Sequence, residues 1–362
     1  MKEINSTEIA NLAGVSRSTV SRVINNYPNV PHSTRQKVLK VIQENNYYPN
    51  LYAQALAGKK TGTIVLILLD NGHISNDAIT NFLITNVIES AADYGYYVLT
   101  VVIRDIDYPD SRKQVREIFH QRRVDGGIVI GAKNDEPVIE ELINEGFIIG
   151  ILDQERPPEE QLNRINFNFD NKNGALAALE YLIGLKHKEI GLINGDLNRI
   201  SGLQRYEGFV EGMKKHKLQI HQEWIMMGGD FNKESGYQAI NSLLQKNIEL
   251  PTAILAANDS VAFGAIQALK ERSIKVPDDI SIIGIDDHLL SAYCHPPLTT
   301  LKIDFQETMK QLTASVIQTI KGTEAEKTHI TGMELIIRES CKELTEQPSQ
   351  NFYLDMKFEK RE

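Results

Sequence analysis

Cysteine is scarce in this chain of 362 residues, where Cys294 and Cys341 are the only two. Two cysteines form no disulfide framework, and their separation does not match the C-x-x-C spacing of metal and redox sites. Long apolar runs are also absent, since Ile64–Leu69 is about a third of the roughly 20 residues that a membrane-spanning helix needs. The first residues contain no apolar secretory segment. These absences predict a soluble protein of the reducing cytoplasm.

Motifs of the common enzyme classes are missing as well. The nine histidines include no H-E-x-x-H pair, and no G-x-G-x-x-G or phosphate-binding loop follows an apolar run. Asp286 and Asp287 pair two carboxylates, but neighbouring residues at a strand end point in opposing directions. We therefore do not expect them to flank one glycosidic bond. The sequence predicts no catalysis, no cofactor and no metal site.

Negative charge predominates overall, but its distribution is uneven. The formal net charge is −9, yet the first 60 residues contain eight Lys/Arg and three Asp/Glu and carry +5. The remaining 302 residues therefore carry −14. A basic end on an acidic body indicates contact with nucleic acid at that end. The alternative is a chance cluster of surface lysines.

The basic end has the pattern of short helices separated by breakers. Asn5 and Glu8 have the spacing of a capping box, Gly14 ends the first helix, and Ser16 caps the second. A third helix is predicted over residues 33–45. The apolar residues that we expect to face inward are Ile9, Leu12, Ala13, Val20, Val23, Ile24, Val38, Leu39, Val41 and Ile42.

From Thr63 onward, short β-rich runs alternate with amphipathic stretches of helical period. The predicted strands are Thr63–Leu69, Tyr97–Ile103, Gly127–Ile130, Phe147–Leu152, Ile165–Phe169, Ile190–Asn194, Ala253–Ala256 and Ile280–Ile285. The clearest predicted helices are Asn171–Leu185, Leu203–His216 and Ser260–Arg272. Such alternation is typical of parallel, doubly wound sheets, and these units exceed one compact sheet. We therefore predict two α/β lobes, with a ligand cleft between them at the carboxyl ends of the strands.

The stretch Ile9–Ile24 has the order of a helix-turn-helix motif: a helix, a tight turn at Gly14, and a second helix. The solvent face of the second helix consists of hydrogen-bonding residues: Arg17, Ser18, Ser21, Arg22 and Asn25. Such a face suits base edges and phosphates, because an arginine binds guanine through two hydrogen bonds. A helical hairpin with a solvated polar face is the alternative.

Several segments in one register resemble the LacI/GalR (lac repressor) family of transcriptional regulators. They are GVSRSTVSRVIN at 14–25, VPHSTRQKVLKVIQENNYYPN at 30–50, LYAQALAGKKT at 51–61, DN at 170–171, R-x-x-G-F at 205–209, AAND at 256–259, VPDDISIIGIDD at 276–287 and PPLTTL at 296–301. The resemblance covers residues 4–341. It implies an all-α helix-turn-helix head, a hinge helix, and a body of two doubly wound, Rossmann-like lobes similar to periplasmic binding proteins.

The resemblance assigns roles on DNA by position. It implies that Arg17, Ser18 and Arg22 read bases, and that Leu56 enters a minor-groove step and kinks the duplex. The positions matched to the DNA backbone are Thr19, Ser21, Asn25, Thr34, Tyr47 and Asn50. Ser16, which caps the recognition helix, completes the predicted DNA-binding site.

The predicted hinge segment, residues 51–57, is too short and too rich in alanine to be a stable helix alone. We expect it to fold only when DNA and the hinge of a partner subunit are present. Pro31 and His32 depart from the family pattern, which often places a small polar cap before the third helix.

Six residues of the acidic body are candidate ligand groups, and most lie at or just after predicted strand ends. They are Asp70, Asp153, Arg205, Phe231, Asn258 and Asp286. Carboxylates, an amide and an arginine around an aromatic ring suit a polyhydroxylated ligand such as a sugar. By resemblance, Phe231 stacks on the effector and Asp153, Arg205, Asn258 and Asp286 contact it.

The alternative for each candidate is an N-cap or loop residue without a ligand role. This alternative weighs most for Asp70, because DNGHISND departs from the Pro-Asp-x-x-Asn-Pro-aromatic loop of the family. Ile303 is apolar where some members have a polar effector contact.

We predict a homodimer, because one helix-turn-helix buries little surface and specific binding normally needs two half-sites. The C-terminal leucine heptad of family tetramers is missing. Residues 352–358 alternate apolar and polar side chains, which predicts an edge strand unless this tail is disordered. The predicted divisions are a head at 1–48, a hinge at 49–60, a two-lobed body at 61–341 and a C-terminal extension at 342–362.

Together these features predict a sequence-specific, DNA-binding regulator, a repressor controlled by a small sugar-like effector. One alternative is a global carbon-catabolite regulator of the same family that is controlled by a phosphocarrier protein. Another is a sugar-binding protein or enzyme with the same body fold and a vestigial head. The sequence does not indicate whether the effector releases the operator or promotes its binding.

Overall fold

The computed structural model describes residues 4–48, 60–69, 78–155 and 161–345. The predictions that fall outside these ranges concern Asn50, Leu56, Asp70, the hinge segment 51–57 and the tail segment 352–358. Within the described ranges, no helix is long and apolar enough to cross a membrane.

The head consists of three helices. They are α1 (Ser6–Ala13), α2 (Arg17–Ile24) and α3 (His32–Glu44). The predicted capping box is confirmed, since Asn5 Oδ1 accepts from the backbone N–H of Glu8 at 3.1 Å and Glu8 Oε2 accepts from Asn5 N–H at 3.0 Å. Gly14 ends α1 with a φ of +60°, and the Ser16 hydroxyl accepts from Thr19 N–H at 3.1 Å. The turn between α1 and α2 is therefore fixed by local hydrogen bonds.

Two of the residues predicted to face the core of the head do not. Leu12 is 57% exposed and Leu39 is 48% exposed, whereas Ile9 and Val38 are fully buried. Each turn of a helix takes about 3.6 residues, so a neighbour of a buried residue points about 100° away from it. The head is small, and its core accommodates only one narrow row of apolar side chains from each helix.

The body contains two six-stranded sheets. The strands are β1 (Thr63–Leu69), β2 (Tyr97–Ile103), β3 (Gly126–Ile130), β4 (Ile149–Leu152), β5 (Arg164–Phe169), β6 (Ile190–Gly195), β7 (Ile225–Gly229), β8 (Ala253–Ala256), β9 (Ser281–Asp286), β10 (Thr299–Ile303), β11 (Thr328–Thr331) and β12 (Met333–Ile336). The first sheet has the order β11-β5-β4-β3-β1-β2 and is parallel throughout. The second has the order β12-β10-β9-β8-β6-β7, with only β12 antiparallel.

Helices cover both faces of each sheet, as the doubly wound prediction requires. The body helices are α4 (Ala78–Asp93), α5 (Pro109–His120), α6 (Pro137–Asn144), α7 (Asn171–Gly184), α8 (Ile200–Lys215), α9 (Lys233–Gln245), α10 (Asp259–Glu271) and α11 (Phe305–Lys321). The first sheet packs between α4 with α11 and α5 with α6, and forms the first lobe. The second sheet packs between α7 with α8 and α9 with α10, and forms the second lobe.

The described chain passes between the lobes at three single-residue connections, Asp170, Asp304 and Gly332. These crossings lie side by side, because Asp170 N–H donates to the carbonyl of Thr331 at 2.9 Å. The rings of Phe169 and Phe305, next to two of the crossings, pack edge to face with centroids 5.3 Å apart. The carboxyl ends of the strands in both lobes therefore meet near this junction.

Candidate functional site

The outward face of α2 has the composition that the sequence predicted. Arg17, Ser18, Ser21 and Arg22 are exposed, while Val20 and Val23 are buried in the core of the head. Basic and hydroxyl side chains thus occupy one side of the second helix of the motif. Such a face can reach both phosphates and base edges.

Local hydrogen bonds organise this face. Arg17 Nε donates to Ser6 Oγ at 3.0 Å, which ties the start of α2 to α1. Asn25 Nδ2 donates to Ser21 Oγ at 3.2 Å, and Asn25 Oδ1 is buried and has no hydrogen-bond partner. Thr19 is half-buried beside Ser16, with the two hydroxyl oxygens 2.8 Å apart. Hydrogen bonds to neighbouring side chains therefore restrain Arg17, Thr19 and Ser21.

Thr34 and Tyr47, predicted to lie against the DNA backbone, are both half-buried. Tyr47 packs against the core of the head, and Thr34 lies in the first turn of α3. The N-cap residue of that helix, Pro31, makes no side-chain cap, in keeping with the departure seen in the sequence. Sequence reasoning missed Arg35, whose guanidinium donates to Asn26 Oδ1 at 2.7 Å and ties the loop after α2 to α3.

In the body, Arg205 connects candidate residues of both lobes. Its guanidinium is buried, with Nε donating to Asn171 Oδ1 at 2.9 Å and Nη1 donating to the carbonyl of Ala257. Its Nη2 lies 3.8 Å from Asp286 Oδ1, and Asn171 Nδ2 donates to Asp153 Oδ1 at 2.9 Å. A chain of contacts therefore runs from the end of β4 in the first lobe to the end of β9 in the second.

Asp153 follows β4 in the left-handed backbone region, with a φ of +58°. Burial raises the pKa of its carboxyl, while the Arg205 charge and hydrogen bonds from Asn171 and Ser201 lower it. Desolvation is the largest of these effects. The residue is nevertheless only half-buried, so a hydrogen-bonding ligand can reach it.

Phe231 and Asn258 form a second part of the site. The ring of Phe231 lies against Gly195, where a Cβ atom would overlap it, and its centroid is 6.0 Å from Arg205 Cζ. Asn258 Oδ1 caps α10 by accepting from Val261 N–H at 2.9 Å, and its Nδ2 donates to the carbonyl of Phe231 at 3.0 Å. Asn258 is thus an N-cap, and its other contact positions the aromatic residue.

The adjacent carboxylates Asp286 and Asp287 have different partners. Asp286 ends β9 with a φ of +117° beside Arg205, whereas Asp287 Oδ1 accepts from Arg338 Nη2 at 2.6 Å. Their different partners agree with the expectation from the sequence that the two carboxylates do not face one point. Within the described ranges, no group of three or more His, Cys, Asp or Glu side chains is arranged to hold a metal ion.

Sequence reasoning also missed two buried polar residues of this region, Asn171 and Asp259. Asp259 accepts from Ser291 Oγ at 2.5 Å, from Thr300 Oγ1 at 2.6 Å and from His288 N–H at 2.8 Å. Burial raises the pKa of its carboxyl to about 7, although these three donors lower it. Asp259 fixes the loop that follows Asp286. The only signal in the sequence was an acidic residue at the first position of a helix whose first half is mostly apolar.

A helix-turn-helix head joined to two α/β lobes of this topology defines a class of DNA-binding regulators. Two family models match the chain: "Bacterial regulatory proteins, lacI family" over residues 7–50, and "Periplasmic binding protein-like domain" over residues 179–341. The chain belongs to the LacI family and is a DNA-binding transcriptional regulator.

Curated relatives are similar over nearly the whole chain. The HTH-type transcriptional regulator DegA of Bacillus subtilis (strain 168) is 35% identical over 343 residues, which is 93% of this chain and 98% of DegA. The HTH-type transcriptional repressor PurR of Haemophilus influenzae (strain KW20) is 35% identical over 298 residues, 81% of this chain and 84% of PurR. These relatives are transcriptional regulators rather than enzymes.

Solved structures agree with this assignment. The lac repressor dimer bound to its operator and the anti-inducer ONPF is 27% identical, with a TM-score of 0.77, covering 94% of this chain and 100% of that one. The complex of the transcriptional regulator CelR with cellobiose has a TM-score of 0.70 at 24% identity, covering 93% and 99% of the two chains. At that identity, CelR supports the fold alone.

Proposed function

We propose that this regulator is a repressor that binds an operator of two half-sites as a homodimer and responds to a small polyhydroxylated ligand held between its lobes. The observation that carries the proposal is the chain of contacts from Asp153 through Asn171 and Arg205 to Asp286. A ligand that touches both ends of this chain contacts both lobes, and so favours one lobe arrangement over another.

In the proposed complex, α2 lies in the major groove. Arg17, Ser18 and Arg22 are the base-reading residues, because they occupy the exposed side of that helix. The hydroxyl groups of Ser16, Thr19 and Ser21 and the amide of Asn25 face the backbone, together with Thr34 and Tyr47. Phosphate contacts fix the orientation, and base contacts give the sequence preference.

The partner on the apolar edge of the first lobe is a second copy of this chain. Exposed side chains of α4 and β2, which pack together, form this edge: Phe82, Ile88, Tyr97, Leu99 and Val102. A further apolar surface of the second lobe follows β9, where Leu289 and Tyr293 are 75% and 80% exposed. Two half-sites require a two-fold dimer, and apolar patches of this kind mark association surfaces.

A sugar or a similar ligand fits the chemistry of the effector site. Asp153, Arg205 and Asp286 offer hydrogen bonds to hydroxyl groups, and the ring of Phe231 offers an apolar face for the ring of the ligand. Asn258 acts through Phe231, whose carbonyl it binds. Because the ligand and the operator each select a lobe arrangement, each changes the affinity of the other by the same factor.

The DNA-binding part is tested with a duplex that the wild-type protein selects from a random-sequence pool. Arg22→Ala is expected to weaken binding to this duplex by about 1–3 kcal/mol, as loss of a bidentate base contact does. Lys40→Ala, which changes an exposed residue on α3, is the matched control and is expected to bind like wild type. Normal binding by the Arg22 variant would refute the recognition-helix assignment.

The effector part is tested by titrating a panel of mono- and disaccharides into the complex with the selected duplex. Asp286→Asn and Asp153→Asn keep the shape of the side chain but remove its charge. Both variants are expected to bind the duplex and to lose the response to the sugar that acts on wild type. An unchanged response in both variants would mean that the effector binds elsewhere.

A further inference from the structure

The body begins at a point where one carboxylate holds the backbone of two consecutive residues. Asp125 Oδ1 accepts from Thr61 N–H at 2.7 Å, and Asp125 Oδ2 accepts from Gly62 N–H at 2.8 Å. The backbone N–H of Asp125 donates to the carbonyl of Thr63 at 2.8 Å. Residues 61–63 follow directly after the predicted hinge, so this carboxylate acts where the hinge joins the body. We call Thr61, Gly62 and Asp125 the clasp.

The clasp is fixed by both neighbours of β1. Asp125 lies just before β3, and the carbonyl of Gly62 accepts from Tyr97 N–H, at the start of β2, at 2.8 Å. Gly62 has a φ of +67°, which residues with a Cβ rarely adopt, so a glycine suits this sharp turn. Hydrogen bonds from two N–H groups to one carboxylate are charge-assisted and therefore among the stronger ones.

One helix connects the clasp to the junction of the lobes. Near the clasp, Lys321 Nζ at the end of α11 lies 5.2 and 5.6 Å from the ring centroids of Tyr94 and Tyr96. Burial and then the Asp125 charge raise the pKa of Tyr96, which places the carboxylate near that ring. Helix α11 begins at Phe305, beside a lobe crossing, and its 17 residues span about 25 Å. One continuous helix therefore joins the crossing to residues near the clasp.

We propose that Asp125 is a positioning residue that sets the direction in which the hinge leaves the body, and that operator binding depends on this direction. The inference rests on the proposed operator binding through head and hinge, and adds a specific residue through which the body controls it. Without the carboxylate, Thr61 and Gly62 lose two side-chain acceptors. The head is then tethered but no longer oriented, and the entropy of ordering it opposes binding.

A purely structural role for Asp125 predicts a different result. If the carboxylate only stabilised β1, its loss would lower the melting temperature of the body and leave the operator affinity of the folded protein unchanged. If it orients the hinge, operator affinity changes while β1 stays protected, because this strand is buried between β2 and β3.

The experiment compares Asp125→Ala, Asp125→Asn and the control Asp93→Ala in the full chain. Asp93 is an exposed carboxylate at the end of α4 in the same lobe. The readouts are amide hydrogen exchange of residues 60–69, thermal unfolding, and the affinity for the duplex selected by wild type. For Asp125→Ala we expect at least tenfold faster exchange at Thr61 and Gly62, unchanged exchange within β1, and at least tenfold weaker binding.

Asp125→Asn keeps one carbonyl acceptor, so intermediate values are expected, and the Asp93 variant should match wild type. If Asp125→Ala exchanges faster but binds the duplex like wild type, the inference is wrong. If the alanine variant does not fold, the same criterion is applied to the asparagine variant: faster exchange with wild-type binding would contradict the inference. Failure of the proposed function is distinguishable, because the wild-type protein would then select no duplex at all.

Discussion

A buried arginine is a costly residue unless its charge and its donors are matched. Arg205 is 4% exposed, and its partners are Asn171, the carbonyl of Ala257 and Asp286. The planar guanidinium directs several donors toward these partners at once. The single ammonium group of a lysine could not do so. Because buried ion pairs add little net stability over apolar packing, the arrangement favours a role in ligand binding over a role in folding.

His187 is a buried histidine whose protonation should affect stability. Its Nε2 lies 3.0 Å from the carbonyl of Lys342, its Nδ1 lies 3.0 Å from Thr252 Oγ1, and burial lowers its pKa. The folded state therefore binds fewer protons than the unfolded state below the ordinary histidine pKa of about 6.5. Protonation of His187 should therefore lower the free energy of unfolding as the pH falls from 7.5 to 5.5.

The measurement is urea unfolding at several pH values for wild type and His187→Gln. The variant keeps a donor for the Lys342 carbonyl but does not titrate, so its stability relative to wild type should rise as the pH is lowered. Asp259, with a pKa of about 7, shifts stability in the opposite sense in both proteins, so it cancels in the comparison. Parallel pH curves for the two proteins would rule out His187 as the source.

At this scale, the sequence predicted the candidates that stand at strand ends, because the carboxyl ends of parallel strands meet at one edge. Asp153 and Asp286 were found in this way. Asn171 and Asp259 were not, because each lies in the first turn of a helix, where polar residues are common. Their burial depends on packing between segments far apart in the chain, which one sequence does not display.

Among the elements, α9 and α10 pack closely through two glycines. A Cβ atom at Gly264 would overlap the carbonyl of Lys233, and one at Gly236 would overlap the carbonyl of Val261. Both obstacles are backbone atoms, which cannot move aside as a flexible side chain does. Gly264→Ala is therefore expected to lower the free energy of unfolding by about 1–3 kcal/mol or more.

Gly184→Ala in α7 is the matched control, because no heavy atom lies within 4 Å of the added Cβ. There the substitution should leave stability unchanged or raise it by about 0.4–1 kcal/mol, since alanine restricts the unfolded chain. Both variants are compared by urea unfolding of the second lobe. Equal effects at the two positions would show that α9 and α10 separate easily.

The eight strands predicted from apolar runs all exist, and most of their ends agree within one residue. Four further strands, β7, β10, β11 and β12, were not predicted. β7, β11 and β12 are edge strands, short and incompletely buried, and β10 carries two threonines and a lysine. The place of the three edge strands depends on neighbours remote in sequence. β10 lies inside its sheet, but its threonines and lysine interrupt the apolar run by which the other central strands were predicted.

In the whole molecule, positive charge is concentrated in the DNA-binding head and negative charge in the body. The first 60 residues carry +5 and the remainder carries −14. A basic head attracts the phosphates, whereas the negative charge of the body opposes their approach. The salt dependence of operator binding should therefore come from the head. The net charge of −9 conceals this, because it averages over parts with opposite roles.

Two-fold assembly is the property of the whole molecule that the apolar edge of the first lobe predicts. Tyr97 is 75% exposed on the edge strand β2, so Tyr97→Asp should be tolerated in a monomer. In a dimer the new carboxylate would be buried without a partner, which is costly. We expect sedimentation to show a shift from dimer to monomer, with weaker binding to the selected duplex.

Tyr108→Asp, at a tyrosine 58% exposed on the same lobe, is the control that should remain dimeric. A Tyr97 variant that stays dimeric would place the two-fold interface on another surface.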